Sequence, residues 1–178
     1  MLRGVFFDRD RTLTHDAGYS HHPKGLRWLP GATDLLHLLT ARGVKIFVVT
    51  NQGGVGLGRY SEEDVLRYHE EMKRQLRMRG ARIDEFAFCP HHPLASTDAL
   101  RVDCACRKPK PGMITRLLAK YQLSTDDCIM VGDSDADVGA AKSLAMSFIR
   151  VAANGSDLEG LRQRLDWLYP ENPIRSGA

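Results

Sequence analysis

The stretch of sequence that decides the fold is 4–12, which reads GVFFDRDRT. It begins as a short apolar run, typical of a strand buried on both faces, and it ends at a cluster of charged residues. Similar apolar runs recur along the chain, with amphipathic helical patterns between them. Strands that alternate with helices pair in parallel through right-handed crossovers. We therefore predict an α/β fold, an open parallel sheet with helices on both faces.

The strands are predicted from short apolar runs, and the helices from helical spacing of apolar residues with caps at their ends. The predicted strands are Gly4–Phe7, Lys45–Val49, Ile83–Phe88, Cys128–Gly132 and Ser147–Val151. The first predicted helix lies between Pro30 and Gly43, the second runs from Ser61 to Gly80, the third begins at Pro111, and the fourth covers Ala136–Ala145. A last helix is predicted from the spacing of Leu158, Leu161, Leu165 and Leu168. It precedes a loose tail, Pro170–Ala178. For the helix that begins at Ser61, the expected inner face is Val65, Leu66, Tyr68, Met72 and Leu76.

Length, composition and charge limit the classes of protein to which this chain could belong. A chain of 178 residues, 43% of them hydrophobic, can bury an ordinary core, so we expect a single domain over 1–178. No large insertion interrupts the alternating pattern, and no cap domain is expected. The sequence holds neither a signal peptide nor an apolar run long enough for a membrane helix, which favours a cytoplasmic protein without a membrane partner. A net charge of +3 without an aromatic-basic stripe argues against nucleic acid and suits a small anionic substrate.

Polar motifs follow the predicted strands at the edge where such sheets bind ligands. Asp8 and Asp10 come after the first strand, where one carboxylate could act as nucleophile or metal ligand and the other as general acid. The segment 50–54, TNQGG, offers a hydroxyl and free N–H groups to an anion. Cations in 107–112, RKPKPG, precede a helix start and suit a phosphate. Carboxylates in 132–137, GDSDAD, facing Asp8 would suit magnesium, although helix capping also explains some of them.

The cysteines indicate a second metal site in the segment 89–108. A Cys-x-His pair and a Cys-x-Cys pair form a Cys₃His set, which is typical of a closed, structural zinc site. Its predicted ligands are Cys89, His91, Cys104 and Cys106. His92 is an alternative to His91, and the sequence leaves that choice open. Cys128 stands apart within an apolar run, and we expect it to be a buried hydrophobic residue.

Taken in order, these motifs resemble those of the haloacid dehalogenase (HAD) superfamily of phosphotransferases. The pattern is Asp-x-Asp-x-Thr, then Thr or Ser after the second strand, then Lys, then Gly-Asp-x-x-x-Asp, and it covers Val5 to Val151. The segment CPHHP at 89–93 and the segment CACRKPKPGM at 104–113 resemble the D-glycero-D-manno-heptose 1,7-bisphosphate 7-phosphatase family. Histidinol-phosphate phosphatases are close relatives of that family.

The resemblance implies a magnesium-dependent phosphatase that forms an aspartyl-phosphate. It implies Asp8 as nucleophile, Asp10 as acid and base, and Thr50 and Lys108 as stabilisers of the phosphoryl group. Magnesium would be held by Asp8, by the Asp10 carbonyl and by Asp133, and the zinc ligands would be those named above. The residues it implies for substrate binding are Asp16, Gly18, Tyr19, Asn51, Gln52, Gly53, Arg107 and Ser134.

One residue departs from the family pattern: Arg11 stands where the motif has glycine. Arg11 could be neutral, could serve as a cation for a different anionic substrate, or could lower activity, because glycine tolerates backbone angles that arginine does not. The main rival substrate is histidinol phosphate. Rivals from other classes are a receiver-like phospho-accepting domain and a zinc-stabilised nucleic-acid module. We expect the protein to act as a monomer.

Overall fold

The computed structural model describes residues 1–155, 160–161 and 163. Its strands are Gly4–Phe7 (β1), Lys45–Asn51 (β2), Glu85–Cys89 (β3), Cys128–Gly132 (β4) and Ser147–Arg150 (β5). Its helices are Ala32–Ala41 (α1), Glu62–Arg77 (α2), Gly112–Tyr121 (α3) and Asp135–Lys142 (α4), with 3₁₀ turns at Pro23–Gly25 and Thr125–Asp127. Of the predicted last helix only Leu161 is described; Leu158, Leu165, Leu168 and the tail Pro170–Ala178 lie outside the described residues.

The five strands form one parallel sheet in the order β3-β2-β1-β4-β5. β1 lies at its centre, with Phe6 level with Phe47 of β2 and with Met130 of β4. The chain builds outward from β1 to β3 on one side and then crosses to β4 and β5 on the other. The strand order therefore reverses beside β1, and a crevice opens there at the carboxyl ends of the strands.

Alternate side chains of β1 enter two separate apolar layers. Val5 and Phe7 pack in a layer that includes residues of α1 and α2, and the buried Leu161 belongs to the same layer. Phe6 packs in the opposite layer with residues of α3 and α4. The prediction of helices on both faces is therefore confirmed. Cys128 is fully buried in the second layer, as its apolar surroundings predicted.

The start of α2 and most of its inner face agree with the sequence. Ser61 and Asp64 form a reciprocal capping box at the start of the helix. Leu66 was wrongly assigned to the inner face, since it is 52% exposed. His69 lies there instead and is buried. The reason is helical spacing: a stripe through Val65 and Tyr68 passes His69 and leaves Leu66 about 100° around the axis.

The start of β3 and both ends of α4 differ from the prediction. β3 begins at Glu85 rather than Ile83, because the Asp84 carboxylate accepts a hydrogen bond from the Ile46 backbone N–H at 2.9 Å. α4 begins at Asp135, directly after its N-cap Ser134. It ends at Lys142, three residues before Ala145, whose φ of 51° is incompatible with a continuing helix. Among the helices that the structure describes, not one has the length and apolar character that a membrane crossing requires.

Candidate active site

A buried lysine joins two carboxylates at the carboxyl end of β1. Asp8 follows this strand directly, and its backbone N–H donates to the Val131 carbonyl of β4 at 2.9 Å. Lys108 Nζ lies 2.9 Å from Asp8 Oδ1 and 2.6 Å from Asp137 Oδ1. It also donates to the Val49 carbonyl at 2.7 Å. Since the Lys108 side chain is only 3% exposed, these contacts hold it as a fixed cation.

Burial and charge together set the protonation of this ion pair. Burial raises the pKa of Asp8 to about 6; the Lys108 cation opposes that rise, and the carboxylates of Asp137 and Asp10 add to it. Burial alone would lower the pKa of Lys108, but the Asp8 and Asp137 carboxylates outweigh it and raise that pKa. At pH 7 Lys108 is therefore charged and Asp8 is mostly ionised, as a carboxylate nucleophile must be.

The Asp10 side chain is oriented by a buried arginine and an amide. Arg9 Nε donates to Asp10 Oδ1 at 2.9 Å, and Arg9 Nη2 donates to Asp10 Oδ2 at 3.0 Å. Gln52 Nε2 also donates to Asp10 Oδ2, at 2.8 Å. The Arg9 side chain is fully buried, and its Nη2 reaches the Ser20 carbonyl at 2.8 Å. Arg9 thus links Asp10 to the loop that contains the predicted substrate residues Asp16, Gly18 and Tyr19.

His69 completes the surroundings of the buried guanidinium. Its Nε2 lies 3.2 Å from Arg9 Nη1, and the Arg9 carbon Cζ lies 4.6 Å from the centre of the Tyr68 ring. Burial and the neighbouring Arg9 charge lower the pKa of His69 well below its ordinary value. The imidazole is therefore neutral, and its Nε2 accepts from Arg9.

The end of β2 binds the loop that contains Lys108. Asn51 Nδ2 donates to the Lys108 carbonyl at 2.9 Å, and Asn51 Oδ1 accepts from the Lys108 N–H at 3.0 Å. Thr50 Oγ1 accepts from Gln52 Nε2 at 2.9 Å. Asn51 thus contacts Lys108 directly, and Thr50 shares the Gln52 amide with Asp10, so these predicted site residues lie together although they are distant in sequence.

Three carboxylates form a cluster in the crevice between β1 and β4. One oxygen each from Asp8, Asp133 and Asp137 lies within 4.8 Å of the others. Asp133 Oδ2 lies 3.0 Å from Arg11 Nη2, whereas the buried Asp133 Oδ1 has no hydrogen-bond partner among the described residues. A buried carboxylate oxygen without a partner, among other carboxylates, fits a hard divalent cation such as magnesium.

The predicted thiol ligands also converge. The sulfur atoms of Cys89, Cys104 and Cys106 and one imidazole nitrogen of His91 lie within 4.8 Å of one another. Cys89 Sγ lies 3.6 Å from Cys104 Sγ and 3.1 Å from Cys106 Sγ. Tetrahedral zinc with Zn–S bonds of about 2.3 Å would give a sulfur–sulfur distance of about 3.8 Å; the first distance is close to this value and the second is shorter. Three soft sulfur atoms and one imidazole fit zinc.

The geometry separates the two histidines that the sequence left as alternatives. His91 Nδ1 lies 3.4 Å from Cys89 Sγ and 3.3 Å from Cys106 Sγ. His92 Nδ1 instead accepts from the Leu94 backbone N–H at 3.0 Å. His91 therefore lies in the thiol cluster, and His92 stabilises the turn that follows it.

A cleft of about 680 Å³ opens above Asp8, Asp10, Thr50 and Lys108. Two residues predicted to bind substrate do not line it. Gln52 is buried beneath it and accepts from the Tyr60 hydroxyl at 2.8 Å, and Arg107 donates to the His91 carbonyl at 2.9 Å. The predicted substrate residues that line the cleft are Asp16, Gly18, Tyr19, Asn51, Gly53 and Ser134.

Comparison with known proteins identifies the family. A HAD-hydrolase-like family model matches residues 105–171. D-glycero-β-D-manno-heptose-1,7-bisphosphate 7-phosphatase of Rhodopseudomonas palustris is 40% identical over 155 residues, which is 87% of this chain and 85% of that protein. The chain belongs to this phosphatase family. The Escherichia coli K12 protein of the same name is 35% identical over 137 residues, 77% of this chain and 72% of that protein.

A solved structure in this family has the same fold. It is D,D-heptose 1,7-bisphosphate phosphatase from B. bronchiseptica, complexed with magnesium and phosphate, with a TM-score of 0.77 and 29% identity. The match covers 91% of this chain and 87% of that one. The predicted HAD-like phosphatase is therefore confirmed as family and fold.

Several residues of the candidate site were missed from the sequence. Asp137 lies in the segment 132–137, whose carboxylates the sequence offers to magnesium or to a helix cap. It accepts from the Ser134 hydroxyl at the start of α4, and it also contacts Lys108. It is the last residue of the Gly-Asp-x-x-x-Asp motif, so that pattern contained the signal. Arg9 lies inside the first motif, but nothing local distinguishes a buried arginine from a solvated one. The cleft residues Tyr60 and Asn154 were also missed.

Proposed function

We propose that this protein hydrolyses the 7-phosphate ester of D-glycero-D-manno-heptose 1,7-bisphosphate. The observation that carries the proposal is the convergence of Asp8, Asp10 and Lys108 on the floor of one cleft. The curated relatives named above supply the substrate. A cleft of about 680 Å³ is large enough for a sugar bisphosphate.

In the first step Asp8 attacks the phosphorus atom, and the bond from phosphorus to the sugar oxygen breaks. Asp10 gives a proton to that oxygen, and an aspartyl-phosphate remains on Asp8. In the second step Asp10 takes a proton from water, which attacks phosphorus and releases Asp8 and inorganic phosphate. Lys108 and Thr50 offset the negative charge on the transferring group.

Magnesium and zinc would have different roles. The side chains of Asp8 and Asp133 and the carbonyl of Asp10 would hold magnesium. When bound, magnesium neutralises charge on the phosphoryl oxygens. Cys89, His91, Cys104 and Cys106 would hold zinc in a site that leaves no position for water, so its role would be structural. It would order the segment 89–108, which contains Lys108 and in which Arg107 donates to the His91 carbonyl.

The proposed active unit is a monomer with a single domain over 1–178. We also propose that the protein works in the cytoplasm, because a reducing compartment keeps the thiols of a zinc site free of disulfides. Light scattering of the purified protein measures its mass; a stable dimer would contradict the monomer.

The substrate is tested by phosphate release from both anomers of the heptose bisphosphate and from histidinol phosphate, with magnesium present. We expect kcat/KM for the better heptose anomer to exceed that for histidinol phosphate by about 100-fold or more. ³¹P NMR of the product should show that the phosphate on carbon 1 is retained. A preference for histidinol phosphate, or loss of the phosphate on carbon 1, would contradict the proposal.

A further inference from the structure

Arg11 has a strained backbone in the middle of the site. Its φ is 63°, the left-handed region that residues with a side chain rarely adopt. Its N–H donates to the Thr14 carbonyl at 2.7 Å, and its carbonyl accepts from the Asn154 N–H at 2.9 Å. The backbone of Arg11 is therefore held on both sides, and the direction in which its side chain leaves the loop is set.

The side chain of Arg11 covers a buried carboxylate. Arg11 Nη2 lies 3.0 Å from Asp133 Oδ2; the Arg11 side chain is 46% exposed and that of Asp133 only 2%. The guanidinium thus lies between Asp133 and the solvent. Asp133 Oδ1 has no hydrogen-bond partner within the described residues, so the arginine satisfies only half of this carboxylate.

The two cations at this cluster differ in what holds them. Lys108 is buried and contacts Asp8, Asp137 and the Val49 carbonyl, so its displacement would leave several polar groups without partners. Arg11 contacts the charged group of Asp133, and water can solvate nearly half of the Arg11 side chain. Arg11 is therefore the cation that can leave the cluster at low cost, while Lys108 stays.

A divalent ion at the three carboxylates would bind Asp133, whose Oδ2 Arg11 contacts and whose Oδ1 has no hydrogen-bond partner within the described residues. It would also lie a few ångströms from the guanidinium, and like charges at that distance repel. We propose that Arg11 is a tethered counter-ion of Asp133 that competes with the divalent cation and so raises the magnesium concentration at which the site fills. This inference rests on the proposed function, because it takes the carboxylate cluster as the magnesium site.

The test measures ion binding rather than catalysis. Mn²⁺ binding is followed by electron paramagnetic resonance, and Mg²⁺ binding by calorimetry, on the protein without substrate. Arg11→Asn removes the charge and keeps a residue that tolerates a left-handed backbone. We expect it to bind either ion about threefold to tenfold more tightly than the unmodified protein. Arg11→Lys keeps the charge and is the matched control, expected within about twofold of the unmodified protein. Raised NaCl should reduce the gap between Arg11→Asn and Arg11→Lys.

The outcomes separate this inference from the proposed function. One outcome would overturn the competition alone: Asp133→Asn loses ion binding, but Arg11→Asn binds the ion no more tightly than the unmodified protein does. The assignment of the carboxylate cluster as the magnesium site would then stand. Ion binding unaffected by Asp133→Asn would overturn both. Arg11→Gln removes the charge with a different side chain and should repeat the tighter binding; if it does not, the effect of Arg11→Asn belongs to the backbone and the inference fails.

Discussion

The carboxylate cluster and the thiol cluster lie at strand ends of the same sheet, but different forces position them. Asp8 and Asp133 follow the buried strands β1 and β4, whose apolar side chains fix where each carboxylate emerges. Cys104 and Cys106 lie outside the described helices and strands, in a loop that follows β3. The first region is placed by the core of the fold. For the second, whose cysteines also pack against the core, we expect a further dependence on the ion that its side chains would bind.

The carboxylate cluster and the thiol cluster also differ in their expected effect on the stability of the fold. Burial of Asp8 disfavours its charged form and raises its pKa. At neutral pH, where Asp8 is mostly ionised, this burial therefore lowers the free energy of unfolding. A bound zinc ion would act in the opposite direction, because metal bound only by the folded state stabilises that state. Changes in the two regions should therefore affect activity and stability in different proportions.

The largest expected effect is on turnover in the carboxylate region. Asp8→Asn removes the proposed nucleophile, and we expect kcat to fall by about 10³-fold or more, because the covalent step cannot occur. Circular dichroism should show an unchanged fold. Ser143→Ala, at the far end of α4, is a surface control for which we expect unchanged turnover. Hydrolysis by Asp8→Asn within about tenfold of the unmodified protein would refute the assignment of the nucleophile.

A smaller loss of activity and a clear loss of stability are expected in the thiol region. Cys106→Ser removes one soft ligand, and we expect zinc content to fall from stoichiometric to near zero and kcat/KM to fall by about 10- to 100-fold. Elemental analysis and thermal unfolding measure the two effects. Cys128→Ser is the matched control: Cys128 is buried outside the cluster, so this variant should keep its zinc. A purified protein without zinc would show that the loop is ordered by other contacts.

The smallest effect is a pH-dependent difference in stability. The pKa of Asp8 is raised from 3.8 to about 6 in the folded protein. Between these values the folded state keeps a proton that the unfolded state releases, so the Asp8 contribution to the free energy of unfolding falls as pH rises. Above about pH 6 the penalty is complete. In magnesium-free buffer Asp8→Asn should therefore gain on the unmodified protein by about 2 kcal/mol between pH 4.5 and pH 7.5.

Urea unfolding of both proteins at the two pH values measures this difference, and effects of pH on the thiol cluster cancel because both proteins share it. Saturating magnesium should reduce the gain or reverse it, since an ion that binds Asp8 favours its charged form. A gain that is independent of pH would mean that burial does not control the ionisation of Asp8.

Several features could be predicted from short stretches of sequence. The apolar run at Gly4–Phe7 and the alternation that follows it predict the parallel sheet, because a strand buried on both faces needs helices on both sides. The spacing of Cys89, His91, Cys104 and Cys106 predicts a four-ligand cluster, because zinc sites use close pairs of ligands. Asp8, Asp10, Thr50 and Ser134 could be predicted because they lie at or just after strand ends, whereas Asp16, Gly18 and Tyr19 were implied by the resemblance to the family.

Only the tertiary structure decided the features that depend on burial and on side-chain direction. It placed Arg9 beneath Asp10, directed Arg107 to the His91 carbonyl and laid Arg11 over Asp133. Local sequence contains no such information, because charged residues in turns have the same spacing whether packing buries them or leaves them in water. Their environment is set by elements distant in the chain, such as α2 for Arg9 and β4 for Arg11, which meet them only when the sheet has formed.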